Sequence, residues 1–456
     1  MPGESVNVPD TMRALALRLT SWRWPRAIAT RHTARRGVVV IAALTLVAKV
    51  LGFLREAVVA ALFGTSGMVD AYRIAEVLAG LGTSLGRQGF DVAAVPLFVE
   101  RRLCSGETGQ RRMLSSFLSL GLVTAIVVTM LTIVAAVLLP RFYRSPGRSV
   151  IGLTLLMLPA AAAAIVASVA AAWFNSRRQY AIPRLFDPTV SAVAIIALLL
   201  LASRWHIYGL AAGWSAGHVA ALALAVLPLS LGGRRLLGRL SDPAVKELLR
   251  LTLPALPLAL IQPLNVAVGR AFAATLPQGS VALLGYADRL FALPAGLIVA
   301  SITPVFFTQA AELSAAGCAA DLNRRCARIL KRLAILLIPA GLLLFPLARP
   351  LVHVLYERGA FSAASTELTA RALAFYGLGL FPYVAAALLA AALRSRKNAT
   401  APLFAVAAGI SVNCALSAAL VRHLGVPGLA LAGSAGVTVT AICLWLVLGR
   451  TGRIAS

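Results

Sequence analysis

Residues 38–63 read VVVIAALTLVAKVLGFLREAVVAALF, an apolar run longer than the roughly 20 residues that a helix needs to cross a bilayer. Similar runs recur along the whole chain of 456 residues, of which 59% are hydrophobic and 13% are charged. Soluble domains carry roughly 25% charged residues. A soluble fold could not bury this much apolar surface, so the sequence predicts an all-α polytopic membrane protein.

Gly, Pro and Arg residues divide the apolar runs into twelve predicted transmembrane helices. Their predicted bounds are 37–63, 70–100, 113–139, 149–174, 182–203, 207–231, 248–274, 280–311, 327–346, 366–393, 400–421 and 426–449. The connections are short and leave no room for a soluble catalytic domain. The basic segment 1–36 is predicted to be a cytoplasmic leader before a retained helix, not a cleaved signal peptide.

The net charge of +27 is concentrated between the apolar runs. Lys and Arg residues in the tails, loops and adjoining helix ends number 29 on the side of the N-terminus and seven on the opposite side, and the other seven of the 43 lie within helices. Because basic residues accumulate on the cytoplasmic side of a membrane, both termini are predicted to face the cytoplasm. This placement also argues against nucleic-acid binding as the reason for the charge.

Two short patterns recur in the second half of the chain at one constant offset. The sequence SRR at 176–178 returns as SRK at 395–397, and GLA at 209–211 returns at 428–430. Six helices per half bring both halves into the membrane from the same side, which predicts a parallel repeat with a substrate cavity between the halves. The predicted parts are an N-terminal six-helix half at 37–231, a cytoplasmic linker at 232–247, a C-terminal six-helix half at 248–450 and a cytoplasmic tail at 451–456.

Ionisable residues deep in membrane helices are costly unless they are paired or hydrated, so each marks a candidate functional site. Lys49, Arg55 and Arg289 lie too deep to reach the headgroups and favour a wet, cationic cavity. Such a cavity suits an anionic cargo, because Arg donates paired hydrogen bonds to phosphate oxygens. Arg87 and Asp91, spaced i,i+4, are either part of this cavity or a structural ion pair.

Three other charged residues have simpler interpretations. Arg270 lies close to its helix end and is predicted to snorkel to the outer surface. Asp70 and Arg73 lie at the start of the second helix and could anchor it. The sequence contains no Walker-type phosphate loop and no metal-ligand cluster, which argues against ATP hydrolysis and a metal centre.

Several motifs are shared with a known family. The sequence LGFLRE at 51–56 is similar to LGFxRD, YADRL at 286–290 has a direct counterpart, and YERGAF at 356–361 is similar to FERGAF. With these motifs, residues 37–450 resemble the lipid II flippase family (MurJ/MviN). The resemblance implies the fold of the multidrug/oligosaccharidyl-lipid/polysaccharide (MOP) exporter superfamily and alternating access.

The resemblance also implies a cationic cavity that receives the pyrophosphate of an undecaprenyl-linked sugar. Lys49, Arg55 and Arg289 correspond to the family's cavity cations, with Lys49 in place of the usual Arg, and Glu56 and Asp70 correspond to family acids. The family's basic pair and acid before its GAF stretch are not retained. The family usually has fourteen helices, the last two of which form a groove for the lipid tail, whereas twelve are predicted here.

The function favoured by these observations is that of a non-enzymatic flippase moving lipid II, a peptidoglycan precursor, across the bacterial inner membrane. Two alternatives stay open: export of another lipid-linked oligosaccharide, and a membrane scaffold that has lost transport. No cofactor is expected; a proton, a sodium ion or the membrane potential would drive the cycle, with Glu56, Asp70 and Asp288 as gating or ion-coupling groups. The expected partners are the undecaprenyl-pyrophosphate-linked saccharide, membrane lipids and cell-wall synthesis proteins.

Overall fold

The computed structural model of the protein describes residues 34–138, 147–230, 236–253, 256–315, 319–396, 398 and 400–453. These residues form helices and no β-strand. In chain order the helices are α1 (Ala34–Phe63), α2 (Gly67–Leu138), α3 (Gly147–Ser176), α4 (Ala181–Arg184), α5 (Phe186–Trp205), α6 (Ile207–Ser230), α7 (Pro243–Thr252), α8 (Leu256–Ala273), α9 (Ser280–Ala315), α10 (Ala319–Tyr356), α11 (Ala363–Gly377), α12 (Leu380–Ser395) and α13 (Thr400–Arg453). The predicted all-α fold is confirmed.

Breaks and bends relate these helices to the twelve predicted spans. Helix α2 is interrupted at Gly106 (φ 65°) and α13 at Gly425 (φ 60°), so each is two helices in succession. The pairs α4–α5, α7–α8 and α11–α12 each occupy one predicted span, and α11 meets α12 at 44°. Counted in this way, the described residues form twelve successive helical segments at the twelve predicted positions. By length and composition, seven of the described helices could each cross a membrane, and the α11–α12 pair would be an eighth.

Helix α7 begins inside the segment that was predicted to be a linker, 232–247. Asp242 caps this helix by accepting a hydrogen bond from the Ala244 backbone N–H (3.0 Å), and Pro243 occupies the first helical position. The preceding turn packs on α2, where the Gly238 N–H donates to the Ser115 carbonyl (3.0 Å). The predicted domain boundaries themselves stay predictions, and residues 1–33 and 454–456 of the predicted leader and tail lie outside the described residues.

The internal repeat is visible in equivalent hydrogen bonds. Ser215 of α6 donates to the Leu156 carbonyl of α3 (2.6 Å). Ser434 of α13 donates to the Phe375 carbonyl of α11 (2.9 Å). Donor and acceptor are both displaced by the same offset as the two sequence patterns, so the repeat is structural as well as sequential.

The turns that precede these serines are also equivalent. His206 adopts φ 46° and ψ −131° between α5 and α6. Gly425 is its counterpart at the repeat offset and adopts φ 60° and ψ −136° within α13. Gly reaches positive φ without strain, whereas a residue with a Cβ is strained there by about 1–2 kcal/mol. The first copy of the repeat therefore holds a strained histidine where the second holds an unstrained glycine.

We expect His206→Gly to stabilise the fold by about 1 kcal/mol, because it removes this backbone strain. The midpoint of thermal unfolding of the purified protein in detergent should rise. His423→Gly is the matched control, because His423 is exposed and lies within helical backbone, where Gly destabilises by about 1 kcal/mol. A midpoint that falls in both variants would show that the turn is not strained.

The N-terminal and C-terminal halves meet at the end of the bundle where α1 finishes. The Ala360 N–H donates to the Ala61 carbonyl (2.8 Å). The Tyr286 hydroxyl of α9 donates to the carbonyl of Gly64 (3.0 Å). Gly64 (φ 56°) and Gly359 (φ 61°) bring the two backbones into direct contact, and a Cβ at either position would collide with the facing carbonyl. This closed end of the bundle lies directly above the candidate site.

Candidate functional site

A cavity of about 550 Å³ lies between α1, α2, α5 and α6 on one side and α8 and α9 on the other. The charged residues of its lining are Lys49, Arg55, Glu56, Glu76, Asp187, Arg270, Asp288 and Arg289. The cavity therefore brings together five of the seven residues that the sequence singled out, and these five come from α1 and α9, which are distant in the sequence.

Helix geometry explains why Arg55, Glu76 and Arg289 lie at about the same distance from the closed end of the bundle. Arg55 lies eight residues before the end of α1, while Glu76 and Arg289 each lie nine residues after the start of α2 and α9. At about 1.5 Å per residue, all three lie about 12–14 Å from the closed end of the bundle. Helices that start or finish at one end thus place their charges side by side inside the bundle.

Glu56 is held by three arginines. Its Oε1 lies 2.9 Å from Arg55 Nη2 and 3.7 Å from Arg289 Nε. Its Oε2 pairs with Arg73, whose side chain is only 1% exposed. The Arg73 guanidinium also lies over the ring of Tyr286, 5.4 Å from its centroid. Arg73 therefore fixes Glu56 from the side of the closed end.

Glu76 is shared by four arginines, two at each oxygen. Oε1 lies 2.6 Å from Arg289 Nη2 and 3.9 Å from Arg55 Nη2. Oε2 lies 3.2 Å from Arg73 Nη1 and 3.6 Å from Arg270 Nη1. Glu76 is thus the carboxylate through which α1, α2, α8 and α9 are joined, and we call these four arginines and two glutamates the arginine cluster.

Within the arginine cluster four guanidinium groups face two carboxylates, and the lining of the cavity adds Lys49 and two further acids, Asp187 and Asp288. Its cations are unequally accessible: the Arg289 side chain is 39% exposed, whereas those of Arg55 and Arg270 are 8% and 10% exposed. An excess of charge away from water is costly unless an anion offsets it. The cavity is therefore suited to an anionic ligand that meets Arg289 first.

Lys49 adds a cation on the side of the cavity remote from the closed end. Its Nζ lies against Gly296 of α9, 3.7 Å from the position that a Cβ would occupy. Within the described part of the chain Lys49 forms no ion pair, so its charge is available to a ligand. Lys49 and Arg55 of α1 and Arg289 of α9 thus line one cavity from its two sides, and their predicted role in binding an anion stays a prediction.

The interpretation of Arg270 as a snorkelling residue is wrong. Its side chain is buried, donates to the Arg73 carbonyl and lies 3.6 Å from Glu76. The side chain thus turns inward to the Glu76 carboxylate instead of outward. Glu76 itself was missed, although Arg73 and Glu76 have the i,i+3 spacing of an ion pair in the second predicted helix.

Asp70 lies at the start of a helix and is not among the described lining residues of the cavity. The Asp70 carboxylate accepts hydrogen bonds from the N–H groups of Gly279 (2.6 Å) and Ala282 (2.7 Å), and so caps the start of α9. It does anchor a helix start, but that of α9 rather than of its own helix. Arg87 lies in α2, and its side chain is outside the described part of the structure.

A second cavity of about 580 Å³ lies among α8, α9, α11, α12 and α13. Its polar lining includes Tyr376, Tyr383 and Asn413, and it shares Arg270 and Asp288 with the first cavity. Asp288, predicted as a gating or ion-coupling acid, therefore stands at the wall common to both. Together the two cavities could hold an elongated ligand with an anionic part and an uncharged polar part.

A family model described as "Lipid II flippase MurJ" matches residues 59–456. The chain belongs to the lipid II flippase MurJ family. Curated relatives include the probable lipid II flippase MurJ of Rhizobium tropici, 28% identical over 440 residues that cover 91% of this chain and 81% of the relative. The lipid II flippase MurJ of Burkholderia cenocepacia is 27% identical over 440 residues, 91% of this chain and 84% of the relative.

Solved structures agree with this MurJ membership at the level of the fold. A lipid II flippase MurJ in an inward closed conformation superposes with a TM-score of 0.77 at 22% identity, covering 91% of each chain. An inward-facing MATE family transporter of the MOP superfamily gives a TM-score of 0.67 at 16% identity, covering 91% of this chain and 94% of the transporter. This MurJ family member is therefore a multi-pass membrane protein with the MOP exporter fold that the motifs predicted.

We expect Arg270→Ala to lower the stability of this MurJ family member by about 2 kcal/mol, because it leaves a cavity where a buried side chain links α8 to Glu76 and to the Arg73 carbonyl. Thermal unfolding in detergent measures the effect. Arg349→Ala is the control, because the Arg349 side chain is 78% exposed and lies 3.7 Å from an exposed partner, Glu367. Equal unfolding midpoints for the two variants would restore the snorkelling interpretation of Arg270.

Proposed function

We propose that this chain flips lipid II, the undecaprenyl-pyrophosphate-linked peptidoglycan precursor, from the cytoplasmic to the periplasmic leaflet of the bacterial inner membrane. Membership of the MurJ family and the names of the curated relatives support this function. The observation that carries it is the arginine cluster, in which four guanidinium groups face two carboxylates beside a membrane-embedded cavity and Arg289 is accessible from that cavity. The protein moves its cargo without chemical conversion.

The pyrophosphate is the part of the cargo that most needs the protein. Its negative charge cannot cross hydrocarbon bare, and inside the membrane water screens it poorly. Arg289 and Lys49 offer accessible cations, and the rest of the arginine cluster holds Arg289 in place. The sugar part would extend toward the second cavity, with its tyrosine and asparagine lining, while the undecaprenyl chain stays in lipid.

The distribution of basic residues orients the protein with both termini in the cytoplasm. In that orientation the closed end of the bundle faces the periplasm. Lys49, Thr83 and Ser84 line the cavity on its cytoplasmic side. The headgroup would then enter from the cytoplasm, and release would require the backbone contacts at Gly64 and Gly359 to separate.

Tight binding alone would trap the cargo, so the two access states must differ in affinity. Glu56 already competes for the cations, Asp288 stands between the cavities and Asp70 holds the start of α9 at the closed end. These three acids are placed to change the affinity as the halves move. A proton, a sodium ion or the membrane potential would supply the drive, and cell-wall synthesis proteins would supply and remove the cargo.

Reconstituted protein should transport lipid II at least about tenfold faster than an uncharged prenyl glycoside, because the cluster recognises phosphate charge. Fluorescence quenching of labelled lipids in proteoliposomes measures the rate. Arg289→Ala should abolish transport of lipid II, whereas Arg371→Ala, on an exposed side chain, should not. Equal transport of the uncharged compound would overturn the mechanism. Transport of another undecaprenyl-pyrophosphate glycan but not lipid II would move the function to polysaccharide export.

The orientation is tested separately with cysteine accessibility. A cysteine at Leu240, exposed in the turn before α7, should react only with reagents that enter the cytoplasm. A cysteine at Arg358, exposed beside the closed end, should react with impermeant reagents added to intact spheroplasts. The opposite labelling pattern would invert the proposed direction of transport.

A further inference from the structure

Glu76 has the surroundings of a bound anion. Each of its two carboxylate oxygens lies between a pair of guanidinium groups, Arg289 and Arg55 at Oε1, and Arg73 and Arg270 at Oε2. These groups come from four different helices. Guanidinium groups that converge on paired oxygens are the arrangement by which proteins bind phosphate.

We propose that Glu76 is an internal competitor for the phosphate of the cargo. In the empty cavity it occupies the place of one phosphate group and holds Arg289 in position. The cargo binds by displacing the Glu76 carboxylate from Arg289, and Glu76 returns when the cargo leaves. This inference rests on the proposed function, and it adds a positioning residue that sets the affinity for the headgroup.

Accessibility selects Glu76 rather than Glu56 for this role. The shortest ion pair of Glu76 is with Arg289 (2.6 Å), the most exposed cation of the arginine cluster, and the Glu76 side chain is 10% exposed. Glu56 is 3% exposed and is fixed by Arg73, whose guanidinium does not line the cavity. An anion that approaches Arg289 therefore meets Glu76 first, while Glu56 stays paired with Arg73.

Displacement of Glu76 also weakens a link between the two halves. Arg270 of α8 contacts both Glu76 and the Arg73 carbonyl of α2. When the cargo replaces Glu76, Arg270 contacts the ligand instead of Glu76 and keeps its hydrogen bond to the Arg73 carbonyl. Competition by Glu76 thus lowers the affinity of the cavity for the cargo. It also couples cargo binding to the contact between α2 and α8.

Glu76→Gln tests this competition, because it keeps the shape of the side chain and removes its charge. Wild-type and variant proteins in nanodiscs are titrated with inorganic pyrophosphate by calorimetry. We expect the variant to bind pyrophosphate at least about tenfold more tightly. In proteoliposomes the same variant should show a lower KM and a lower kcat for lipid II, because tighter binding slows release. Glu312→Gln, on an exposed acid of α9, should leave both measurements unchanged.

Unchanged or weaker pyrophosphate binding by Glu76→Gln would overturn the inference, since Glu76 would then only support the fold. Glu76→Asp guards against misfolding: it keeps the charge but withdraws it by one carbon, so its affinity should lie between those of the wild type and Glu76→Gln. Lipid II transport without pyrophosphate binding by either protein would overturn the inference and leave the proposed function intact. Pyrophosphate binding that strengthens as expected, without lipid II transport, would contradict the proposed function alone.

Discussion

The pairing of four arginines, three of them buried, with two buried glutamates is the interaction on which the interior of this protein depends. A single guanidinium at this depth would be expelled toward water or a headgroup, and a single carboxylate would be just as unfavourable. Each carboxylate here is shared, so every charge has several partners and the cluster persists only as a whole. Since its members belong to α1, α2, α8 and α9, the same interaction that makes the charges tolerable also sets the spacing of the two halves.

The accessibility of one cation is what the proposed function draws on. A cluster closed off from the cavity would be a structural element, comparable to a buried salt bridge in any helical bundle. The Arg289 side chain is partly exposed in the cavity, so the proposed anionic cargo can reach the cluster through it. The same contacts therefore contribute to binding of the cargo and to the stability of the fold. This explains why a transporter can hold charges in the membrane without a permanent ligand.

The sequence predicted the parts of this structure whose causes are local. The length of an apolar run is read directly from the chain, and so is a repeat offset, which is why the helices and the equivalence of Ser215 with Ser434 were predictable. The depth of Lys49, Arg55 and Arg289 within such runs identified them as cavity residues. Shared motifs supplied the family and the superfamily fold.

The remaining features depend on neighbours that are distant in sequence. Arg270 lies three residues from its helix end, so the sequence could not distinguish the membrane surface from a carboxylate on another helix. Asp70 was placed at the start of its own helix, but the backbone N–H groups that it caps belong to α9. Glu76 passed unnoticed because its importance comes from four partners, three of which lie on other helices. In each case the missing information is which helices are adjacent.

The close approach at Gly64 and Gly359 has a consequence for the speed of the transport cycle. A gate that is sealed by interdigitated side chains must release them into many rotamers when it opens and order them again when it closes, and each long side chain resists that ordering by about 1–2 kcal/mol. Here Gly64 and Gly359 face peptide carbonyls, and peptide backbone has no rotamers to reset. These backbone contacts can separate and re-form without reordering side chains. The barrier to opening and closing is therefore set mainly by the arginine cluster rather than by the contacts at Gly64 and Gly359.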